Sequence, residues 1–291
     1  MTLENTMGAI LVGLVLNATL YGMVCVQTYQ FLENFGKSDR LYLRLLVMLL
    51  WALDTLQLVL TLHAAFYFLI FNFDQPSALS FSVWSLNLET SVSTTITFIV
   101  RSFFAARVWQ LSDRNKPLFF VTFLLSFAQF GMGFYLTVLC FIEKNFDKLP
   151  LYMVPVCVQS VISIGTDMMI SAPLIYYLRK SMTGRKRTNS VINLLIIWSI
   201  NTALTIGVNE ILQLIMWMIM PTNLIWTVFH LLTAKLYTNS MLAMLNGRGK
   251  VREELNRPIT HTSIFAAAEN GRSPSTGIVF HIPSQASATA V

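Results

Sequence analysis

Charge is what this chain has least of. Only 12% of its 291 residues are Asp, Glu, Lys or Arg, while 55% are hydrophobic, and soluble domains carry about 25% charged residues. Such a composition cannot cover a water-facing surface. Cysteine is scarce too: Cys25, Cys140 and Cys157 make no metal or redox spacing. Nucleophile motifs and Gly-rich phosphate loops are absent, so the sequence gives no cofactor and no catalytic residue, and we expect no enzyme.

Long apolar runs, in contrast, are abundant. A membrane-spanning helix needs about 20 mainly apolar residues, and seven segments meet that length. They are residues 7–29, 42–66, 86–109, 117–142, 152–178, 191–218 and 224–245. The predicted fold is therefore an all-α membrane protein, a seven-transmembrane-helix bundle over residues 1–246. Residues 247–291 are first basic and then rich in Ser, Thr, Ala and Pro, which predicts a disordered cytoplasmic tail.

The basic residues lie almost entirely on one side of these segments. Of the 20 Lys and Arg, 17 follow segments one, three, five and seven, whereas Lys144 and Lys148 lie on the other side and Lys235 lies within the last segment. This positive-inside pattern predicts an outer N-terminus and a cytoplasmic C-terminus. The charges orient helices beside anionic lipid, so we expect the lipid bilayer as partner and no nucleic acid. The plasma membrane is the preferred location and an endomembrane the alternative.

Three segments carry polar residues four positions apart. Residues i and i+4 share a helix face, so each set predicts a polar stripe that lipid cannot satisfy and that faces the bundle interior. The stripes are Glu89, Ser93, Thr97 and Arg101; Gln159, Ser163, Asp167 and Ser171; and Asn201, Thr205, Asn209 and Gln213. They predict either hydrogen bonds between helices or a hydrated ligand cavity.

Several ionisable side chains are predicted at membrane depth, where such groups are costly and usually functional. We expect Lys235 to pair with Asp54 or Asp167, as a structural pair or within a site, because an unpaired buried ammonium would be expensive. Arg101 is predicted close enough to the inner face to snorkel. The candidate ligand or ion pocket consists of Asp54, Glu89, Asp167, Asn201, Asn209, Glu210, His230 and Lys235.

Short runs in the second half of the chain carry a family resemblance. They are Thr166-Asp167, Gly184 with Arg187-Thr188, Asn201-Thr202, Lys235-Leu236-Tyr237-Thr238-Asn239-Ser240 and Leu245-Asn246-Gly247-Arg248. Over residues 160–250 the chain resembles a large family of fungal integral membrane proteins whose function is unknown. The resemblance implies a seven-helix fold and a fungal source, and it supplies no mechanism. The family-motif positions are Thr166, Asp167, Lys235, Tyr237 and Asn239.

The helix layout favours a receptor or sensor over the other functions. Basic residues in 179–190 and 247–291 are candidate contacts for a cytoplasmic signalling partner. Two sequence motifs typical of G-protein-coupled receptors are missing. Segment three ends without an acidic-Arg-aromatic triplet, and segment seven has no Asn-Pro-x-x-Tyr. One alternative is a small proton-coupled transporter or channel that uses the buried charges, although the chain has no internal repeat. Another is a membrane scaffold.

Overall fold

Seven long α-helices make up the part of the chain that the structure, a computed structural model, describes. The described residues are 3–35, 41–72, 81–112, 114–143, 153–182, 186–220 and 224–256. The helices are α1 Leu3–Phe35, α2 Leu41–Phe66, α3 Trp84–Leu111, α4 Lys116–Glu143, α5 Met153–Lys180, α6 Lys186–Ile219 and α7 Ile225–Asn256. Tyr67–Phe71 continue α2 as a short π-helix. The predicted all-helical fold with seven helices is confirmed.

The last two helices extend beyond the apolar segments that predicted them. α7 continues to Asn256 because residues 248–256 are mostly good helix formers such as Arg, Lys and Glu. Pro258 follows two residues later, and a proline disfavours helix in the residue before it. α6 begins at Lys186, five residues before the apolar segment 191–218 that predicted it. Of the predicted tail, residues 247–291, the part from 257 onward lies outside the described residues.

The distribution of polar and apolar side chains on α4 is the reverse of that in a soluble protein. Its buried residues are all polar or glycine, at intervals of three and four: Thr122, Ser126, Gln129, Gly133 and Thr137. Its exposed face is apolar and consists of large side chains, among them Phe120, Val121, Phe123, Leu124, Phe127, Phe134 and Val138. A helix surrounded by lipid places small and polar residues against its neighbours in this way.

Five of the described helices contain a stretch long and apolar enough to cross a membrane. The stretches are Gly8–Asn34, Leu41–Phe71, Lys116–Glu143, Met153–Lys180 and Leu195–Ile219. Together with the apolar outer face of α4, they identify an integral membrane protein. α3 and α7 fall outside this set: α3 buries Glu89 and Arg101, and α7 buries Lys235 before it enters its basic end.

α3 and α7, the two less apolar helices, each contact several other helices. α3 packs against α2, α4 and α5. Its approach to α4 is close at Gly133, where an added Cβ would come within 2.5 Å of Thr94 Cγ2. α7 is held by side-chain amides, because Asn239 Nδ2 donates to the α1 carbonyl of Leu20 over 3.2 Å and Asn246 Nδ2 donates to that of Gln27 over 2.8 Å. Polar contacts therefore attach these helices to the bundle.

The main apolar core occupies one end of the bundle, where α1, α3, α5 and α7 have their C-terminal halves. Phe31, Phe104, Leu178 and Leu245 belong to it and are buried. A smaller apolar cluster that includes Phe68 lies at the opposite end. The polar side chains gather between these regions and beside the smaller cluster, where they form the candidate site.

Candidate functional site

Arg101 of α3 lies at the centre of the site. Its side chain is only 3% exposed and forms a bidentate ion pair with Asp167 of α5, with Nε 2.9 Å from Oδ1 and Nη2 3.1 Å from Oδ2. The planar guanidinium suits this two-point contact. The prediction that Arg101 snorkels to the inner face is wrong, because its ion pair with Asp167 holds the buried guanidinium inside the bundle. Arg101 therefore does not count among the basic residues that mark the inner side.

Three further side chains converge on the same guanidinium. Arg101 Nη2 lies 2.6 Å from Ser163 Oγ, 2.6 Å from Tyr237 Oη and 3.2 Å from Glu210 Oε1. Tyr237 donates its hydroxyl hydrogen to Asp167 Oδ2 over 2.5 Å, and Ser163 donates to Glu210 Oε1 over 2.6 Å. We call Arg101, Ser163, Asp167, Glu210 and Tyr237 the charged cluster. It joins α3, α5, α6 and α7.

Helical periodicity explains how the chain assembles the charged cluster. Ser163 and Asp167 are four apart on α5 and so present their side chains on one face. Arg101 is the last member of the α3 stripe, and its long side chain spans the distance between helices. The cluster holds one cation and two carboxylates, an arrangement that burial makes costly unless each group has hydrogen-bond partners.

A cavity of about 190 Å³ extends from the charged cluster to one end of the bundle. Arg101, Ser163 and Glu210 form its floor, and Ser82 and Glu143 lie at its rim. Its walls come from α3, α4, α5, α6 and α7, and Ser, Thr and Gln alternate there with aromatic side chains. It has room for about six water molecules, at roughly 30 Å³ each, or a small organic molecule. We call it the main cavity.

A second, smaller cavity of about 30 Å³ lies on the other side of the cluster. Arg101 lines both cavities, while Asp167 and Tyr237 line only the smaller one and Glu210 lines only the main one. Ile170 and Leu174, which belong to the main apolar core, also line it. The charged cluster thus separates the main cavity from a small space beside the apolar core.

Lys235 pairs with Asp54, so the structure decides between the two partners that the sequence offered. Its Nζ lies 2.8 Å from Asp54 Oδ1 and 2.7 Å from the Asp54 carbonyl oxygen, and both side chains are fully buried. The ring of Tyr21 lies 5.4 Å from Nζ, within cation–π range. Neither described cavity is lined by Lys235 or Asp54. This lysine pair therefore joins α2 to α7 apart from the main cavity.

Glu89 and His230 form a third polar group. Glu89 is buried, accepts a 2.7 Å hydrogen bond from Gln57 Nε2 and lies with Oε2 3.5 Å from His230 Nε2. His230 lines the main cavity, while Glu89 lies behind it. Neither of these two facing atoms has a hydrogen-bond partner among the described residues, so their contact is an ion pair when the imidazole is protonated.

The α6 stripe does not face the interior along its whole length. Asn209 is buried and its Nδ2 donates to the Phe229 carbonyl over 3.1 Å and to Thr233 Oγ1 over 3.0 Å. Asn201 and Thr205 are exposed, so the prediction that they face the bundle interior is wrong. Four residues advance the helix by about 400°, so each step of the stripe turns it by about 40°, and Asn201 has rotated out of the interface.

The remaining family-motif positions have structural contacts. Thr166 is buried and donates from Oγ1 to the Ile162 carbonyl over 2.7 Å. Asn239 Nδ2 donates to the Lys235 carbonyl over 2.9 Å in addition to its bond to α1. The three cysteines, at positions 25, 140 and 157, are free thiols.

Three members of the charged cluster, Arg101, Ser163 and Tyr237, are missing from the predicted pocket. Arg101 and Ser163 belong to polar stripes and Tyr237 to the family motif, so the sequence carries a signal for each of them. Counting from the segment end places Arg101 within snorkelling distance of the inner face, and that depth argues against a place in the pocket. In the described parts of the chain, no three His, Cys, Asp or Glu side chains lie together as metal ligands.

Residues 163–250 match the model of a family of unknown function (DUF6534). That region is under a third of the chain and runs from α5 to α7. It contains four members of the charged cluster and Lys235, while Arg101 and Asp54 precede it. The resemblance predicted over residues 160–250 is thus confirmed as similarity to a family without assigned function. Comparison with curated proteins and with solved structures finds no match.

Proposed function

We propose that this membrane protein spans the bilayer seven times and is a receptor or sensor for a small molecule. The observation that supports this proposal is the main cavity, whose floor is formed by Arg101, Ser163 and Glu210 of the charged cluster and whose walls come from five helices. Binding sites of small ligands combine apolar walls with a few convergent polar groups in this manner. The rim lies at the N-terminal ends of α3, α5 and α7, which the charge pattern of the sequence assigns to the outer face.

The charged cluster also connects the main cavity to the helices that carry the inner loops. Asp167 lies on α5 and Glu210 on α6, and these helices flank the basic segment 179–190. A ligand that changed the contacts of Arg101 would alter the relation between α3, α5, α6 and α7. We infer that such a change reaches a cytoplasmic partner through residues 179–190 and the basic end of α7.

The proposed topology is tested first, with two cysteine variants in a background where Cys25, Cys140 and Cys157 are replaced by alanine. Met220→Cys, at the end of α6, is expected to react with a membrane-impermeant maleimide in intact cells. Ser181→Cys, at the end of α5, is expected to react only after the cells are permeabilised. Labelling in the opposite order would refute the orientation.

The signalling function is tested by crosslinked affinity purification from native membranes, followed by mass spectrometry. The intact chain is compared with one that ends after Asn256, which retains all of α7, and with one in which Arg185, Lys186 and Arg187 are changed to glutamine. Enrichment of cytoplasmic signalling proteins that both variants lose would support a receptor. A membrane scaffold would instead retain membrane proteins in all three preparations.

The transporter remains the second candidate, and the small cavity beyond the charged cluster favours it. A substrate path needs access from both sides of a central barrier, and the cluster separates two cavities. Proton-driven flux through proteoliposomes of the purified protein, lost in Asp167→Asn, would establish transport. Partner capture without flux would favour the receptor.

A further inference from the structure

The charged cluster beneath the main cavity has more negative than positive groups. Arg101 is the single cation of the charged cluster, and its Nε and Nη2 make the bidentate contact with Asp167. Glu210 contacts the same guanidinium through Oε1 alone, over 3.2 Å. One guanidinium therefore faces two carboxylates, of which Asp167 has the closer contact.

Glu210 has an oxygen that the protein does not satisfy. Its side chain is 7% exposed and lines the main cavity, while its Oε2 atom is buried and has no hydrogen-bond partner among the described residues. A buried carboxylate oxygen without a donor is costly. A donor that enters the cavity from outside would remove that cost.

The walls of the main cavity suit an apolar body next to such a donor. Phe98, Phe130, Trp217 and Trp226 line it, and aromatic faces attract cations as well as apolar groups. Trp217 and Trp226 contact each other edge to face, with ring centroids 4.5 Å apart. The upper wall also includes His230, whose neighbour Glu89 is a further carboxylate.

We propose that the main cavity binds an organic monocation, an amine with an aromatic or other apolar body, whose ammonium donates to Glu210 Oε2. This inference rests on the proposed function, because it names the class of ligand for the same cavity. An anion would meet a guanidinium that the two carboxylates of the charged cluster already neutralise. A cation finds a carboxylate whose second oxygen has no donor, and its binding turns that oxygen toward the cavity.

The sign of the electrostatic potential in the main cavity is measured with thiol reagents that react with a single cysteine. Ser160→Cys, on the α5 wall of the main cavity, is made in the cysteine-free background and treated with three methanethiosulfonates that carry methyl, trimethylammonium or sulfonate groups. Rates are normalised to those with free 2-mercaptoethanol. We expect the ammonium reagent to react at least about tenfold faster than the sulfonate, and Glu210→Gln to bring the ratio close to one.

The outcomes separate the two proposals. If the methyl reagent does not label Cys at position 160, the cavity is closed to small molecules and both proposals fail. If the methyl reagent labels but the sulfonate reacts as fast as the ammonium, the cavity stands and the cationic ligand is wrong. The ratio of the ammonium to the sulfonate rate in the Ser160→Cys protein is enough to give the sign of the potential in the cavity. The test therefore does not depend on the folding of the Glu210→Gln variant. Glu210→Asp, which keeps the charge, is expected to retain the preference.

Protection of the same cysteine tests binding directly. The probes are 2-phenylethylammonium, 2-phenylethanol and phenylacetate, which share an aromatic body and differ in charge. Only the ammonium is expected to slow labelling by the methyl reagent, and Glu210→Gln is expected to weaken that protection at least about tenfold. Glu33→Gln, an exposed carboxylate on α1, is the matched control and should change nothing. Protection by phenylacetate, or by none of the three probes, would overturn the proposal.

Discussion

Removing Lys235 should destabilise the protein more than most single substitutions, because the Asp54 carboxylate would lose its cation in a fully buried position. Lys235→Met keeps the length and most of the apolar stem but removes the ammonium that lies 2.8 Å from Asp54 Oδ1. Breaking one partner of a buried pair costs about 3–5 kcal/mol. For a chain of this size such a loss corresponds to a fall in Tm of about 6–20 °C.

A double variant tests whether the loss arises from the uncompensated charge. Asp54→Leu combined with Lys235→Met replaces the pair by apolar side chains, and we expect a Tm close to that of the wild type or above it. Thermal unfolding of the purified protein in detergent, followed by tryptophan fluorescence, gives all four Tm values of the cycle. Lys180→Met, at the exposed end of α5, should shift Tm by no more than about 2 °C. A Lys235→Met variant with the Tm of the wild type would refute the reasoning. So would a double variant whose fall in Tm equals the sum of the falls in the two single variants.

Three further predictions concern packing and hydrogen bonds, each measured by the same unfolding assay. Gly133→Ala should lower the free energy of unfolding by about 1–3 kcal/mol, because its Cβ would meet Thr94 Cγ2 at 2.5 Å. The added change Thr94→Ala should restore stability. A Gly133→Ala variant as stable as the wild type would mean that α3 and α4 are not this close. Tyr237→Phe should cost about 1–3 kcal/mol, since its hydroxyl contacts both Arg101 and a carboxylate of the charged cluster, and an unchanged Tm would show the cluster is held without it. Asn209→Leu should destabilise by a similar amount because it removes two bonds to α7, whereas Asn201→Leu on the exposed face should be nearly neutral; equal effects would contradict the rotation of the α6 stripe.

The number and approximate positions of the helices follow from composition alone. Runs of apolar residues near 20 in length have few other stable structures, because the backbone must satisfy its own hydrogen bonds where water is absent. The ends were less predictable. α7 continues past Gly247 because a basic, helix-forming segment needs no apolar side chains to remain helical. A hydropathy profile does not detect such a segment.

Partner choice among the buried charges required the tertiary structure. The sequence placed Lys235, Asp54 and Asp167 at similar depth, and depth does not distinguish between two carboxylates on different helices. Asp54 on α2 faces α7, whereas Asp167 on α5 faces Arg101. The interpretation of Arg101 failed for the same reason: its distance from the helix end permitted snorkelling, and only the position of α5 supplied a carboxylate inside the bundle.

Composition and helical spacing suffice to predict that the chain forms apolar helices, that polar stripes on α3 and α5 must be satisfied by other helices, and that Lys235 needs an acidic partner. Each of these follows from local spacing and from the cost of polar groups in lipid, which do not depend on the arrangement of the helices. The packing of the helices was needed to show that four of them bring Arg101, Asp167, Glu210 and Tyr237 into one cluster and leave a cavity beside it. Contacts between residues more than sixty positions apart depend on how helices cross and rotate, and periodicity within one helix carries no information about its neighbour.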